Sequence, residues 1–246
     1  MPEGKVYTAI GLMSGTSLDG VDVALIRTDG QDVVEVGKFE TFPYEETERQ
    51  VIRAAFGRRI QSDIVEAASK VITHAHIHAL SRFGEKADVI GFHGQTITHD
   101  PARHFTWQIG DAHAIARAMK TDVVADFRTS DVNAGGQGAP LIPLYHQAMV
   151  AQQKKPVAVV NIGGVANVTY VGSDGDVMAF DTGPGNALID DYMLSCTGRD
   201  YDHDGEMAQS GLIRDDILQT CLRHPYFKKD VPKSLDRNAF HDIHLD

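Results

Sequence analysis

The chain has 246 residues, 42% of them hydrophobic, and 34 acidic side chains against 23 basic ones give it a net charge of −11. Such a chain can bury a sizeable core in one large or two smaller domains. Its acidity, without a long basic run, argues against nucleic acid or an anionic membrane surface as a partner.

The apolar stretches, the N-terminal residues and the cysteines argue against a membrane-spanning, secreted or disulfide-rich protein. No stretch is long and apolar enough to span a membrane, and the N-terminal residues lack the pattern of a signal peptide. The two cysteines, Cys196 and Cys221, exclude a disulfide framework, and no cysteine or histidine spacing suggests structural zinc. We therefore expect a cytoplasmic protein.

The first half of the chain predicts an α/β domain. Residues 7–12, 21–26 and 33–42 are β-branched and apolar, which predicts three antiparallel strands. Apolar residues at helical spacing predict helices at 45–56 and 62–83. The pattern continues with strands at 89–92 and 122–125 and helices at 112–119 and 141–152. This alternation predicts a mixed sheet covered by helices.

A second series of strands begins after Pro156. The predicted strands are 157–162, 166–171 and 177–180, with a helix starting near Ala187. A glycine-containing turn again separates the first two strands, which weakly suggests a duplicated unit. We therefore expect two lobes, 1–153 and 154–246, each directing a glycine-rich hairpin at a shared nucleotide cleft.

The sequence MSGTSLDG, residues 13–20, lies between the first two predicted strands. Glycine lets backbone N–H groups approach a ligand closely, and the hydroxyl groups add donors, so such a turn can hold phosphate oxygens. An ordinary polar hairpin turn is the alternative, because short motifs match by chance.

The sequence AFDTGPGNALIDDY contains a second candidate. Asp181 is expected to end an apolar strand, before a tight turn and a helix, where α/β folds place ligands. This placement predicts a general base. A carboxylate that merely accepts hydrogen bonds from turn amides is the alternative.

Two further clusters are rich in polar side chains. The stretch from His93 to Gln108 predicts a loop-rich segment whose donors suit a sugar or carboxylate. Arg128 precedes a glycine-rich loop and is suited to clamp a carboxylate, although pairing with Asp126 or Asp131 explains it equally well. His74 and His78, one helical turn apart, are better explained as a solvated helix face than as a metal pair.

Six segments taken together resemble the anhydro-N-acetylmuramic acid kinases. In chain order they are GLMSGTSLDGVDVAL, GFHGQTITHDP, WQIGD, VVADFRTSDVNAGGQGAPLIPLYHQ, VVNIGGVANVTYV and FDTGPGNALIDDY. The resemblance implies the two-lobed fold of actin, Hsp70 ATPases and sugar kinases. It also implies ATP-dependent conversion of 1,6-anhydro-N-acetylmuramic acid and water into N-acetylmuramic acid 6-phosphate, a step of murein recycling in bacteria.

The resemblance also implies roles for individual residues. It places Asp181 as the catalytic base, Mg²⁺ beside the ATP with Asp19 and Asp22 both open as ligands, and a homodimer as the common assembly. It assigns ATP binding to Gly15, Thr16, Ser17, Leu18, Asp19, Gly20, Val21, Asp22, Asn161, Gly163 and Gly164. It assigns sugar binding to His93, Gln95, Thr96, Arg128, Gln137, Gly183 and Asn186.

The end of the sequence departs from the family pattern. Family members continue well past the region seen here as PKSLDRNAFHDIHLD, and that later part carries a glycine-rich adenosine-binding segment. The second lobe is therefore expected to be incomplete, with an exposed sheet edge. The alternative to an active kinase is a truncated remnant that binds a ligand or partner without turnover.

Overall fold

The computed structural model describes residues 5–31, 33–235 and 240. The chain forms two compact units, residues 1–138 and 139–246. The strands are β1 (Tyr7–Ser14), β2 (Gly20–Thr28), β3 (Val33–Pro43), β4 (Val89–Asp100), β5 (Phe105–Ile109), β6 (Asp122–Ala125), β7 (Val157–Ile162), β8 (Val165–Val171) and β9 (Val177–Pro184). The helices are α1 (Glu46–Arg53), α2 (Asp63–Phe83), α3 (Ala112–Met119), α4 (Thr129–Asn133), α5 (Pro143–Met149), α6 (Ala187–Thr197), α7 (Glu206–Ser210) and α8 (Asp215–Leu222).

The first unit is built on a mixed sheet with the strand order β3-β2-β1-β4-β5, and β6 also pairs with β4. The first three strands are antiparallel, whereas β1 and β6 both run parallel to β4. Strand β4 has two partners on the same side, because its first half pairs with β6 and its second half with β5. The predicted α/β class with a mixed sheet is confirmed.

The core of the first unit lies between this sheet and α2. Ser62 caps the start of α2, where its side chain accepts a hydrogen bond from the Val65 N–H. Ile72 of α2 and Ile10 of β1 are among the fully buried side chains. Each buried aliphatic side chain of this size contributes roughly 1.5–3 kcal/mol, so the strands β1 and β2 that carry the first turn are anchored in a stable core.

The second unit contains the antiparallel sheet β7-β8-β9. Helix α5 packs against β8 and β9, where the buried His146 Nδ1 lies 2.8 Å from Thr169 Oγ1. The hairpin order predicted from the sequence is present. The division between the two units falls before α5, whereas the sequence analysis placed this helix in the first lobe, and the functional assignment of the lobes stays a prediction.

Three local expectations were wrong. The segment after residue 92 is not loop-rich, because β4 continues to Asp100 and forms a hairpin with β5. Helix α4 was not expected. Strand β9 continues to Pro184, so Asp181 lies within the strand rather than at its end. Among the described residues, no helix has the length and apolar character needed to cross a membrane.

Candidate active site

The first turn, residues 15–19, joins β1 to β2. The Leu18 N–H donates to the Gly15 carbonyl oxygen at 3.2 Å. Leu18 adopts a φ of 61°, which is rare for a residue with a side chain, and it is only 1% exposed. Burial of Leu18 in the core anchors the turn, while Thr16 and Ser17 remain exposed. Two residues with hydroxyl groups in this turn are thus accessible to solvent.

A buried polar cluster lies directly beneath the first turn. Ser14 Oγ donates to Gln95 Oε1 at 2.5 Å and lies 2.7 Å from the Tyr44 hydroxyl. The Tyr44 N–H also donates to the Asp19 carbonyl oxygen at 3.2 Å. Burial raises the pKa of Tyr44 to about 12. Sequence reasoning did not identify Tyr44, and it expected the fully buried Gln95 to contact a sugar.

His93 and Arg128 form the second polar cluster of this unit. Arg128 Nε donates to His93 Nε2 at 2.8 Å, and Nη1 donates to the Gly138 carbonyl oxygen at 2.6 Å. His93 Nδ1 lies 2.7 Å from the Gly94 carbonyl oxygen, which assigns its proton to Nδ1. Burial and the Arg128 charge lower the pKa of His93 to about 4. The ring is therefore neutral at physiological pH and orients Arg128.

Thr96 and Gln137, the other two residues of this unit that were predicted to bind the sugar, are sequence neighbours of Gln95 and Gly138. Thr96 follows Gln95 on β4, and its Oγ1 accepts a hydrogen bond from Gln108 Nε2 at 3.1 Å. Gln137 is half-buried in the loop after α4. Asp131 Oδ2 accepts a hydrogen bond from the Gly138 N–H at 2.6 Å, so this carboxylate shapes the loop whose carbonyl group binds Arg128.

The second turn joins β7 to β8 through Gly163 and Gly164. The Asn186 N–H donates to the Gly163 carbonyl oxygen at 2.8 Å, and the Gly185 N–H donates to the Gly164 carbonyl oxygen at 3.0 Å. A Cβ atom on Gly185 would collide with the Gly163 carbonyl oxygen. Backbone contacts with the start of α6 therefore hold this turn, and they need glycine at position 185.

Asp181 lies in a polar row across the second sheet. Asn167 of β8 pairs with Asn161 on one side and with Asp181 on the other. Directly opposite residues point to the same face of a sheet, so the three side chains are neighbours. Asn167 Oδ1 is buried and has no hydrogen-bond partner within the described part of the chain. The sequence analysis named Asn161 and Asp181 separately and did not predict that Asn167 lies between them.

The segment before residue 236 holds Asp181 in place. The Asp181 N–H donates to the Lys233 carbonyl oxygen at 2.9 Å, and Asp181 Oδ2 accepts from the Leu235 N–H at 2.8 Å. The Tyr226 hydroxyl donates to the Asp181 carbonyl oxygen at 2.6 Å. Gly183, two residues further along β9, lies against the Phe227 ring. The Leu235 N–H thus binds the carboxylate, while Lys233 and Tyr226 hold the backbone of Asp181.

Comparison with known proteins identifies the family. Residues 7–246 match the sequence profile of the anhydro-N-acetylmuramic acid kinases. A protein of that name from Rhodopseudomonas palustris is 47% identical, over 98% of this chain and 70% of the relative. Another, from Zymomonas mobilis, is 45% identical over 94% of this chain and 68% of the relative. The chain belongs to the anhydro-N-acetylmuramic acid kinase family.

As a member of the anhydro-N-acetylmuramic acid kinase family, the protein is a kinase. It spans about 70% of the length of the Rhodopseudomonas relative. Among solved structures, an exopolyphosphatase-like protein aligns at 13% identity and a TM-score of 0.37, over 89% of this chain and 62% of that one. So loose a superposition carries no argument about function. The individual site residues stay predictions.

Proposed function

We propose that the protein uses ATP and water to convert 1,6-anhydro-N-acetylmuramic acid into N-acetylmuramic acid 6-phosphate and ADP. Membership of the kinase family supports this reaction. The observation that carries it is the position of Asp181, whose carboxylate is held by the Leu235 N–H beside a turn made of small residues. A role in murein recycling, a cytoplasmic location and a homodimeric assembly belong to the same proposal.

The two turns would bind the phosphates of ATP. In the first turn, exposed Thr16 and Ser17 offer hydroxyl donors on a backbone anchored by Leu18. In the second turn, Gly163 and Gly164 have no side chain that would keep a ligand away from the backbone. An acidic protein needs such local donor sets, because its overall charge of −11 repels nucleotides.

Asp181 would act as the general base. Its carboxylate removes a proton from the water that attacks the anomeric carbon, C1, of the sugar. As the C1–O6 bond breaks, its electron pair goes to O6, which attacks the γ-phosphorus atom of ATP and displaces ADP. Asp181 then returns the proton to solvent. Ring opening and phosphoryl transfer are thus coupled, and the net reaction consumes one water and one ATP.

Arg128 would bind the carboxylate of the muramic acid side chain. Its guanidinium is oriented by His93 and by the Gly138 carbonyl group, and arginine suits bidentate carboxylate recognition. Because His93 is neutral, it orients Arg128 without adding a second positive charge. Gln95, Thr96, Gln137, Gly183 and Asn186 complete the proposed sugar contacts.

Mg²⁺ fits the donor chemistry of the first turn. Asp19 and Asp22 are both exposed, and the Asp22 carboxylate also accepts a hydrogen bond from Thr41 Oγ1 at 2.6 Å. Both carboxylates stay candidates to hold the ion. Across the described ranges, no three metal-ligating side chains converge, so phosphate oxygens and water would complete the coordination. The ion would offset the phosphate charge during transfer.

Replacing Asp181 tests the proposal. Asp181→Asn keeps the shape and removes the base, so we expect turnover to fall by about 10² to 10⁴ with ATP binding retained. Asp176→Asn, an exposed position in the loop between β8 and β9, is the matched control and should leave turnover unchanged. ADP release measured with the anhydrosugar gives the readout. Normal release by Asp181→Asn would overturn the assignment of the base, and no sugar-dependent release by the wild type would overturn the proposed reaction.

A further inference from the structure

Tyr44 contacts both ends of the first turn. Its N–H donates to the Asp19 carbonyl oxygen at 3.2 Å, where the turn ends. Its hydroxyl group lies 2.7 Å from Ser14 Oγ, where the turn begins. Tyr44 follows directly after β3 and is only 3% exposed. One buried residue therefore bridges the turn, with its side-chain hydroxyl at the entry and its backbone N–H at the exit.

The hydrogen bonds in this cluster run in one direction. The side-chain amide oxygen of Gln95, Oε1, can only accept a hydrogen bond, so Ser14 Oγ must donate to it, at 2.5 Å. Serine has a single hydroxyl proton, and the Tyr44 hydroxyl must therefore donate to Ser14. Because burial raises the pKa of Tyr44 to about 12, this donor stays protonated at physiological pH. Gln95 Nε2 donates in turn to the Thr96 carbonyl oxygen at 3.1 Å.

This chain of hydrogen bonds lies where the backbone ladder is irregular. The pairing of β1 with β4 shifts register between Leu12 and Ser14, and Ser14 then pairs with Gln95. The side chains thus link the two strands at the point where the regular ladder is interrupted. Buried, fully paired hydrogen bonds of this kind reinforce one another and fix a single arrangement.

We propose that Tyr44 is a positioning residue that holds the first turn in the geometry for ATP phosphates, acting through Ser14, with Gln95 as the anchor on β4. The inference rests on the proposed function in one respect, namely that this turn binds ATP. It gives Gln95 a supporting role beneath the turn, in place of a direct contact with the sugar.

Titration of the protein with ATP alone tests this role. Calorimetry compares the wild type, Tyr44→Phe, Ser14→Ala and the double variant, at a temperature where thermal melts show all four to be folded. We expect each single variant to weaken ATP binding roughly fivefold to tenfold, the value of one hydrogen bond. The double variant should bind ATP no more weakly than Ser14→Ala does. Once the Ser14 hydroxyl is gone, the Tyr44 hydroxyl has no partner through which to act on the turn.

Thr73→Val supplies the control for a simple loss of stability. The buried Thr73 hydroxyl on α2 donates to the Ser69 carbonyl oxygen at 2.7 Å and accepts from the Asp111 N–H at 2.9 Å. Its removal should lower the melting temperature and leave ATP affinity unchanged. A positioning role is contradicted if Tyr44→Phe binds ATP like the wild type, if the two single losses add, or if Thr73→Val weakens ATP equally.

The two proposals fail in different ways. A wild-type protein that binds ATP but does not phosphorylate the anhydrosugar overturns the proposed reaction and leaves the role of Tyr44 to be decided by the variants. A wild-type protein that does not bind ATP overturns both.

Discussion

The two glycine-containing turns are held by different means. Buried side chains support the first turn, through Leu18 in the core and through the hydroxyl contact of Tyr44 with Ser14, and the Tyr44 N–H adds a backbone hydrogen bond to Asp19. Backbone groups support the second turn, where Gly163 and Gly164 accept hydrogen bonds from the N–H groups at the start of α6. Turns that look alike in sequence therefore depend on different kinds of residue.

This difference predicts where each turn is sensitive to substitution. The first turn should tolerate changes at its exposed residues, Thr16 and Ser17, better than changes at buried Leu18 or at the buried side chains beneath it. The second turn should be sensitive to any side-chain atom added at Gly185, where the backbone approaches the Gly163 carbonyl oxygen most closely. Two experiments address this contrast, and a third tests the core beneath the sheet of the first unit.

The largest effect is expected for Gly185→Ala. The added Cβ would collide with the Gly163 carbonyl oxygen, and because the backbone itself must move, we expect a loss of more than about 3 kcal/mol of unfolding free energy. Gly163→Ala is the control, since its Cβ would lie 3.8 Å from the Val165 carbonyl oxygen. Denaturant unfolding measures both, and equal stability of the two variants would contradict backbone support of this turn.

Leu18→Ala should have the next largest effect. Leu18 is 1% exposed, so truncation leaves a cavity beneath the first turn and costs about 2 to 3 kcal/mol. Leu18→Met, which keeps the volume, should cost less than about 1.5 kcal/mol. Chemical denaturation again gives the values. If Leu18→Ala unfolds like the wild type, the turn is not anchored by this side chain.

The smallest effect is a pH dependence within the first unit. His76 packs edge-on against Phe92, with ring centroids 5.0 Å apart, and burial lowers its pKa to about 4. The unfolded chain binds the proton more readily, so stability is lost as the pH falls from about 6.5 toward 4. When the pH is lowered from 7.5 to 5, we expect His76→Leu to lose about 2 kcal/mol less unfolding free energy than the wild type loses. Parallel pH curves from denaturant titrations would show that His76 is not responsible.

Much of the fold could be predicted from the sequence because its apolar periodicity is strong. Helix α3 and the strands β6 and β7 have the bounds expected from the pattern alone. The second half of β4 was missed because glycine, threonine, histidine and glutamine dominate it, with a single isoleucine. Strand β5 has only five residues and lies within the same polar stretch, so it was missed with it. The pairing of the two segments with each other completes the hairpin.

The candidate site was predictable where a motif is local and missed where contacts are distant. The first turn could be recognised within eight residues. Tyr44 could not, since its partner Ser14 lies 30 residues away and Gln95 lies 81 residues from Ser14. A tyrosine directly after Pro43 at a strand end is the only local signal. Polar residues buried by neighbouring strands require the strand order before their partners can be named.

The contacts of Arg128 have a consequence for the carboxylate site proposed at this residue. Its Nε and Nη1 atoms are already bound to His93 and to the Gly138 carbonyl group, so much of the rotational freedom of this long side chain is lost during folding. An anion that binds there meets a guanidinium in one orientation and adds little further entropy loss. A fixed fork discriminates by shape as well as charge, so a planar carboxylate placed in its plane gains more than a spherical anion of equal charge.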